Sequence, residues 1–218
     1  MNWNVRVVTT NLPYLFAGIR MTVVVTIAAM ALGAVVGLLV AMLRMSRLRP
    51  LQVAAGLYID AWRSTPLLAQ LIWVFYALPI VIHHSMTPLV AGILTMALHV
   101  SAYLAEIYRA GILSISSGQR HAGLSLGMTP VQVLRRVVLP QAVTRMLPPI
   151  GSQFISLFKE SALVSLITLP ELMWQAQSLA AFTMRPLEIL TAAALIYMIL
   201  TLPQAVLVNY LHRRYLAH

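Results

Sequence analysis

Five long apolar runs limit the fold of this chain more than any other feature. A hydrocarbon core of roughly 30 Å is crossed by about 20 apolar helical residues. Runs of that length extend from about Gly18 to Leu43, Val53 to Ile82, Pro88 to Ile112, Met146 to Leu169 and Leu187 to Leu211. The second is broken at Thr65-Pro66. Charged residues make up only 9% of the chain, against roughly 25% in soluble domains. That is too little to coat a water-soluble globule. The expectation is an all-α membrane protein with five transmembrane helices in a single domain, residues 1–218.

The arginines predict its orientation. Arg44, Arg47 and Arg49 follow the first run, and Arg109, Arg120, Arg135, Arg136 and Arg145 lie between the third and fourth. Arg213 and Arg214 close the chain, whereas the turn after the second run has no Lys or Arg and that after the fourth has only Arg185. Positive-inside bias then places the N-terminus outside and the C-terminus in the cytoplasm. The same bias explains the net charge of +10 without a nucleic-acid partner. The first run is expected to stay as a helix and not be cleaved as a signal peptide: it is long, and its basic cluster follows it. With no cysteine in the chain, disulfides and thiolate metal sites are excluded. His83-His84 lacks the further ligands a metal would need.

A polar stretch interrupts the apolar pattern. The longest non-spanning segment, about 113–145, contains "RHAGLSLGMTPVQVLRRVVLP" from Arg120 to Pro140. Gln119 to Leu126 predicts a short helix, and Gly127 suits the left-handed position that ends one. Thr129-Pro130-Val131-Gln132 reads as a second start, with Thr129 capping, Pro130 in the first turn and Gln132 completing a capping box. Val131, Leu134 and Val138 recur at helical spacing on one face, and Pro140 is expected to limit the second helix. A DNA-reading helix-turn-helix is excluded because both flanks enter the bilayer, which leaves no third helix for a core. A docking element for a soluble partner remains, beside the plainer reading of a connector lying in the interface.

These residues resemble a known family. Gly118, Gln119, Arg120, His121, Ala122 and Gly123, then Leu126, Gly127 and Met128, then Val138, Leu139, Pro140, Gln141 and Ala142 resemble the EAA loop. That loop marks the membrane subunits of bacterial binding-protein-dependent ABC importers. "LPYLFAGIRMT", "DAWRSTPLLAQL", "AYLAEIYRAGI", "SQFISLFKESALVSLITLPEL" and "RPLEIL" resemble the polar amino-acid branch, and the likeness covers nearly the whole chain. His121, Ala122 and Gly123 stand where the family has Glu-Ala-Ala. The resemblance implies a type I importer permease (MetI-like) fold in the bacterial inner membrane. It also implies that Gln119 to Thr129 forms a coupling helix seated on the ATPase, with Leu139 and Pro140 in the same motif. The implied partners are a dimer of ATP-binding subunits holding ATP and Mg, an external solute-binding protein, membrane lipid, and a second copy or similar permease.

Ionisable residues inside a bilayer are functional candidates by default. Lys159 and Glu160 lie in the fourth run, project about 100° apart, and are candidates for the substrate path. So is His99, on one stripe with Tyr103 and Glu106, although a lone histidine more often serves packing. Asp60 with Arg63, and Glu106 with Arg109, stand three apart and read as structural ion pairs. No Gly-x-x-x-x-Gly-Lys-Ser/Thr loop is present, so ATP hydrolysis is assigned to a partner. The rival reading is a stand-alone secondary transporter or channel for a small polar solute. An intramembrane enzyme is disfavoured, because no nucleophile–base pair or metal-ligand cluster appears at useful spacing.

Overall fold

The computed structural model describes residues 3–216, and its elements are helices. Helix α1, Val5–Arg44, is capped by Asn4, whose side chain accepts from the Arg6 N–H at 3.1 Å. Its buried face is a row of small residues: Gly18, Thr22, Thr26, Ala29, Gly33, Gly37 and Ala41. From Ala29 onward that row lies on helix α4, Pro88–Leu113, while Gly18 and Thr22 meet Glu171 and Leu172. A Cβ added at Gly33 would stand 2.8 Å from the Ala97 carbonyl oxygen, and one at Gly37 would stand 2.8 Å from that of Ser101. In a bilayer, lipid tails are as apolar as side chains, so helices associate through close van der Waals packing, which small residues permit.

Helices α2, Arg49–Ser64, and α3, Leu67–Ile82, meet at Thr65-Pro66 with a bend of 103°. Helix α5, Ser117–Ser125, is short, and helix α6 runs from Pro130 to Ile167. Helices α7, Leu172–Thr183, and α8, Pro186–Leu216, complete the bundle. Among the described residues, α1, α4, α6 and α8 are long and apolar enough to cross a membrane. The fifth span exists only if the bent α2–α3 pair counts as one.

Proline does not end α6 where the sequence suggested. The helix passes through Pro140 because Leu134–Val138 form a π-turn, in which the Leu139 N–H reaches back five residues to the Leu134 carbonyl. A regular turn would set the Pro140 ring against the carbonyl four residues earlier, and the wider turn opens that contact. The same device precedes Pro79: Trp73–Ala77 are a π-turn, and the Leu78 N–H bonds the Trp73 carbonyl. The π-turn also corrects the expected apolar face. Val133 and Val138, five apart, are buried, whereas Val131 is 71% and Leu134 43% exposed.

Among the described residues four buried clusters hold the bundle, the smallest being Ala41, Ile59 and Ala105 of α1, α2 and α4. Val25 and Ala29 meet Met96, Ala97, Val100 and Leu104, and then Leu71, Val74, Leu157, Val164 and Ile167. Leu15, Leu172, Ala176, Ile189 and Ala193 join α1, α7 and α8. Ile115, Val133, Val138, Ala142 and Met146 form a smaller core under the polar segment. The outside is also apolar, with Val35, Leu39, Ile199 and Val206 exposed, as lipid contact requires.

Candidate functional site

The polar segment is a helix, a corner and a helix. Helix α5 begins at Ser117, two residues ahead of the expected start, and ends at Ser125. Gly127 has φ +78°, a region in which a Cβ is strained. Its N–H bonds the Leu124 carbonyl at 3.0 Å, and the Met128 N–H bonds the Gly123 carbonyl at 3.2 Å. Thr129 and Gln132 then form the reciprocal capping box: the Gln132 N–H donates to Thr129 Oγ1 at 3.3 Å, and the Thr129 N–H to Gln132 Oε1 at 2.8 Å.

Gly123 has a packing reason to be glycine. It is buried, and an added Cβ would sit 2.9 Å from Val133 Cγ2. Two arginines fasten the corner to the end of α4. Arg120 Nη2 donates to the Ile112 carbonyl at 2.9 Å, and Arg145 Nη1 to that of Ser114 at 2.7 Å. They are used structurally, and the outward surface belongs to others. Gly118, Gln119, His121, Ala122 and Gly127 are exposed, as is Pro140, while Met128 is half-buried. Leu126 is 83% exposed, and Leu139 only just so. Val131, Gln132, Arg135 and Arg136 line a neighbouring cleft of ≈ 390 Å³. No carboxylate occurs between Leu113 and Arg145. The corner thus offers protruding apolar side chains on a uniformly basic ground.

The charges in the spans divide into paired and unpaired. Glu106 and Arg109 pair as expected, with Nη2 to Oε2 at 2.7 Å and Nε within 3.1 Å of both oxygens. The expected Asp60–Arg63 pair does not form. Arg63 lies over the Tyr103 ring, 5.2 Å from its centroid. The face of an aromatic ring attracts a guanidinium, and Asp60 points outward. Lys159 is exposed and Glu160 half-buried where α6 tightens from α to 3-10 geometry. With Ser156, Ala162 and Leu163 they line a cleft of ≈ 400 Å³.

His99 is placed differently. It is 7% exposed, its ring lies tilted at 47° to that of Tyr103 with centroids 5.1 Å apart, and its Nδ1 lies 2.8 Å from Gln70 Oε1. Two polar residues escaped the sequence reading. Gln70 stands at the α2–α3 bend, and its signal was a lone amide just after Thr65-Pro66. Glu171, fully buried, caps α7, and its signal was a Pro-Glu step opening an apolar run.

Comparison with known proteins decides the family. Residues 33–217 match "Binding-protein-dependent transport system inner membrane component". The chain belongs to that family. The permease is 38% identical over 203 residues to the L-cystine transport system permease protein TcyB of Bacillus subtilis, covering 93% of this chain and 86% of that one. It is 36% identical over 204 residues to the glutamine transport system permease protein GlnP of Escherichia coli, covering 93% of each. Its fold superposes on the crystal structure of an amino acid ABC transporter with histidines at TM-score 0.93 and 36% identity, over 98% of this chain and 100% of that one. The MetNI methionine ABC transporter shares the fold at TM-score 0.76 and 20% identity, over 94% and 98%. The permease is therefore a multi-pass membrane subunit of an ABC importer with the type I fold. ATP is hydrolysed on a separate subunit.

Proposed function

We propose that the permease carries a polar or charged amino acid, or an opine-like derivative, across a bacterial inner membrane. ATP and Mg on a separate pair of ATPase subunits supply the energy, and an external solute-binding protein delivers the substrate. The observation that carries this reading is the corner at Gly127. It is a rigid, doubly capped turn presenting Leu126 at 83% exposure on ground that holds arginines and no carboxylate. Protruding apolar anchors fit pockets on a partner, and the basic ground suits an acidic rim. Relatives named for cystine, glutamine and glutamate/aspartate transport support the substrate class.

Lys159 and Glu160 belong to the substrate path in this reading. A lysine facing hydrocarbon costs about 2.5–3.5 kcal/mol on insertion scales. Its exposure on the single chain therefore suits a face turned to an aqueous path shared with a second permease copy or a similar chain. One ammonium and one carboxylate complement the two charges of an amino acid. His99 is left out of the path, since its ring is spent inside the bundle. With the arginine-rich corner in the cytoplasm, the N-terminus lies outside and the C-terminus inside.

The test is to tag the chain in its native host, solubilise it mildly and identify what co-purifies by mass spectrometry. An ATP-binding subunit is expected, and a second permease would distinguish a heterodimer from a homodimer. Recovery of the chain alone, under conditions that keep a known importer intact, would favour the stand-alone transporter.

A further inference from the structure

The bend between α2 and α3 has a polar cost that one side chain meets. Pro66 lacks an N–H, so the break leaves carbonyls of the last turn of α2 without helical partners. In hydrocarbon such groups must be satisfied internally. Gln70 meets part of that need: its Nε2, with two protons, faces the Trp62 carbonyl at 2.8 Å, the Thr65 carbonyl at 3.1 Å and Thr65 Oγ1 at 2.6 Å. The Thr65 hydroxyl spends its own proton on the Ala61 carbonyl at 2.8 Å, so it can accept from the amide.

This arrangement fixes two assignments. Two of the atoms facing the Gln70 nitrogen are carbonyl oxygens, which only accept, so the donor side of the amide is turned to the bend. Gln70 Oε1 then faces His99 Nδ1 at 2.8 Å, and His99 must carry a proton on Nδ1. The adjoining cavity of ≈ 450 Å³ is walled almost wholly by apolar groups, among them Trp62, Trp73, Val74, Leu94 and Leu98. The direction of α3 in turn matters for the proposed path. Leu71 and Val74 pack in one core with Leu157, Val164 and Ile167, which flank Lys159 and Glu160 in sequence.

We propose that His99 and Gln70 are positioning residues for transport: His99 Nδ1–H locks the Gln70 amide in the orientation that caps the broken span, and the span so fixed holds α3 behind the Lys159–Glu160 segment. The link to transport rests on Lys159 and Glu160 lining the path. The lock itself does not, so the two are tested separately.

The lock is tested by ¹⁵N NMR of histidine-labelled permease, purified with whatever subunits accompany it and placed in bilayers. His99 is expected as the Nδ1-protonated tautomer, and Gln70→Leu is expected to abolish that preference. A ring protonated on Nε2 alone, with no proton on Nδ1, in the unaltered protein would overturn the lock. The role in transport is tested by uptake in the assembled importer with His99→Asn, His99→Gln and His99→Leu. The Asn amide nitrogen can occupy the place of Nδ1, whereas that of Gln reaches toward the place of Nε2. With equal membrane levels, Asn is expected to keep most of the uptake. Gln and Leu are expected to lose about tenfold or more, as when a buried acceptor loses its donor. Asn as inactive as Leu would overturn positioning in favour of a direct imidazole role, and full uptake in Leu would overturn it outright. If the tautomer is found but uptake does not follow it, the lock stands as a structural cap and its role in transport is overturned, while uptake by Lys159→Met decides the path separately.

Discussion

Tyr197 donates its hydroxyl to Glu171 Oε2 at 2.7 Å, and through that contact α8 is tied to the start of α7. The other carboxylate oxygen accepts from the Trp174 N–H at 2.7 Å. Thr22 of α1 completes the node, with its Oγ1 3.4 Å from Oε2 and accepting from the Leu172 N–H at 3.2 Å. Three helices thus share one fully buried carboxylate. Replacing Glu171 with Leu removes the acceptor of both the Trp174 N–H and the Tyr197 hydroxyl, at about 1–3 kcal/mol for a donor left unpaired. Thermal unfolding of the purified permease should show a large loss for Glu171→Leu and a smaller one for Tyr197→Phe. The double variant should lose less than the sum, because both changes remove the same bond. An unaltered midpoint in Glu171→Leu would dissolve the node.

The contact between α1 and α4 gives a second expectation. A methyl at Gly37 would meet backbone, 2.8 Å from the Ser101 carbonyl oxygen, and backbone cannot rotate away. Gly37→Ala should therefore destabilise by about 1–3 kcal/mol, the usual range for overpacking, despite the better helix propensity of alanine. A detergent-stability assay decides it, with a gain in stability contradicting the packing.

At the corner, Gly127 is the sensitive residue, since its φ is +78° and a branched side chain there costs about 1–3 kcal/mol. Gly127→Val should abolish uptake while membrane insertion is kept. Gly127→Asn should retain much of the uptake, because Asn tolerates this region. Normal uptake in the valine variant would remove the corner from the coupling route.

Gly123 gives a paired test. Alanine, which the resembling family has here, would normally stabilise a helix interior by about 1 kcal/mol. Its methyl would instead crowd Val133 Cγ2 at 2.9 Å. Gly123→Ala should lower ATP-driven uptake, and Gly123→Ala with Val133→Ala should recover it. Failure of the double variant to exceed the single one would mean that the two residues are not matched.

Lys159 tests the path. Lys159→Met should reduce uptake by about tenfold or more, the size of one lost charge-assisted hydrogen bond of about 1.5–3 kcal/mol. Membrane level and subunit recovery should be unchanged. Uptake equal to the parent would return Lys159 to a structural role.

Some of these features were open to sequence reasoning and some were not. Thr129, Gln132, Pro130 and Gly127 were legible because capping and left-handed turns depend on residues within a few positions of one another. Glu106–Arg109 was legible for the same reason. Asp60–Arg63 had identical spacing and failed, because the ring of Tyr103 on another helix took the guanidinium. The reach of α6 beyond Pro140 was hidden in a π-turn, which no local pattern announced. Gly33 and Gly37 carried a readable small-residue spacing, but the helix they faced was not in it.

The sequence by itself determined that this is a membrane bundle, where its apolar runs lie and how its polar corner turns. Those are consequences of hydrophobic length and local backbone chemistry. Only the tertiary structure decided that the second run bends by 103°, that Gln70 and His99 hold the bend, and that Glu171 joins α1, α7 and α8. A buried polar group is stable only beside its partners. Those partners lie 29 residues away for Gln70 and His99, and 149 for Thr22 and Glu171. The packing of helices, and not the order of residues, brings them together.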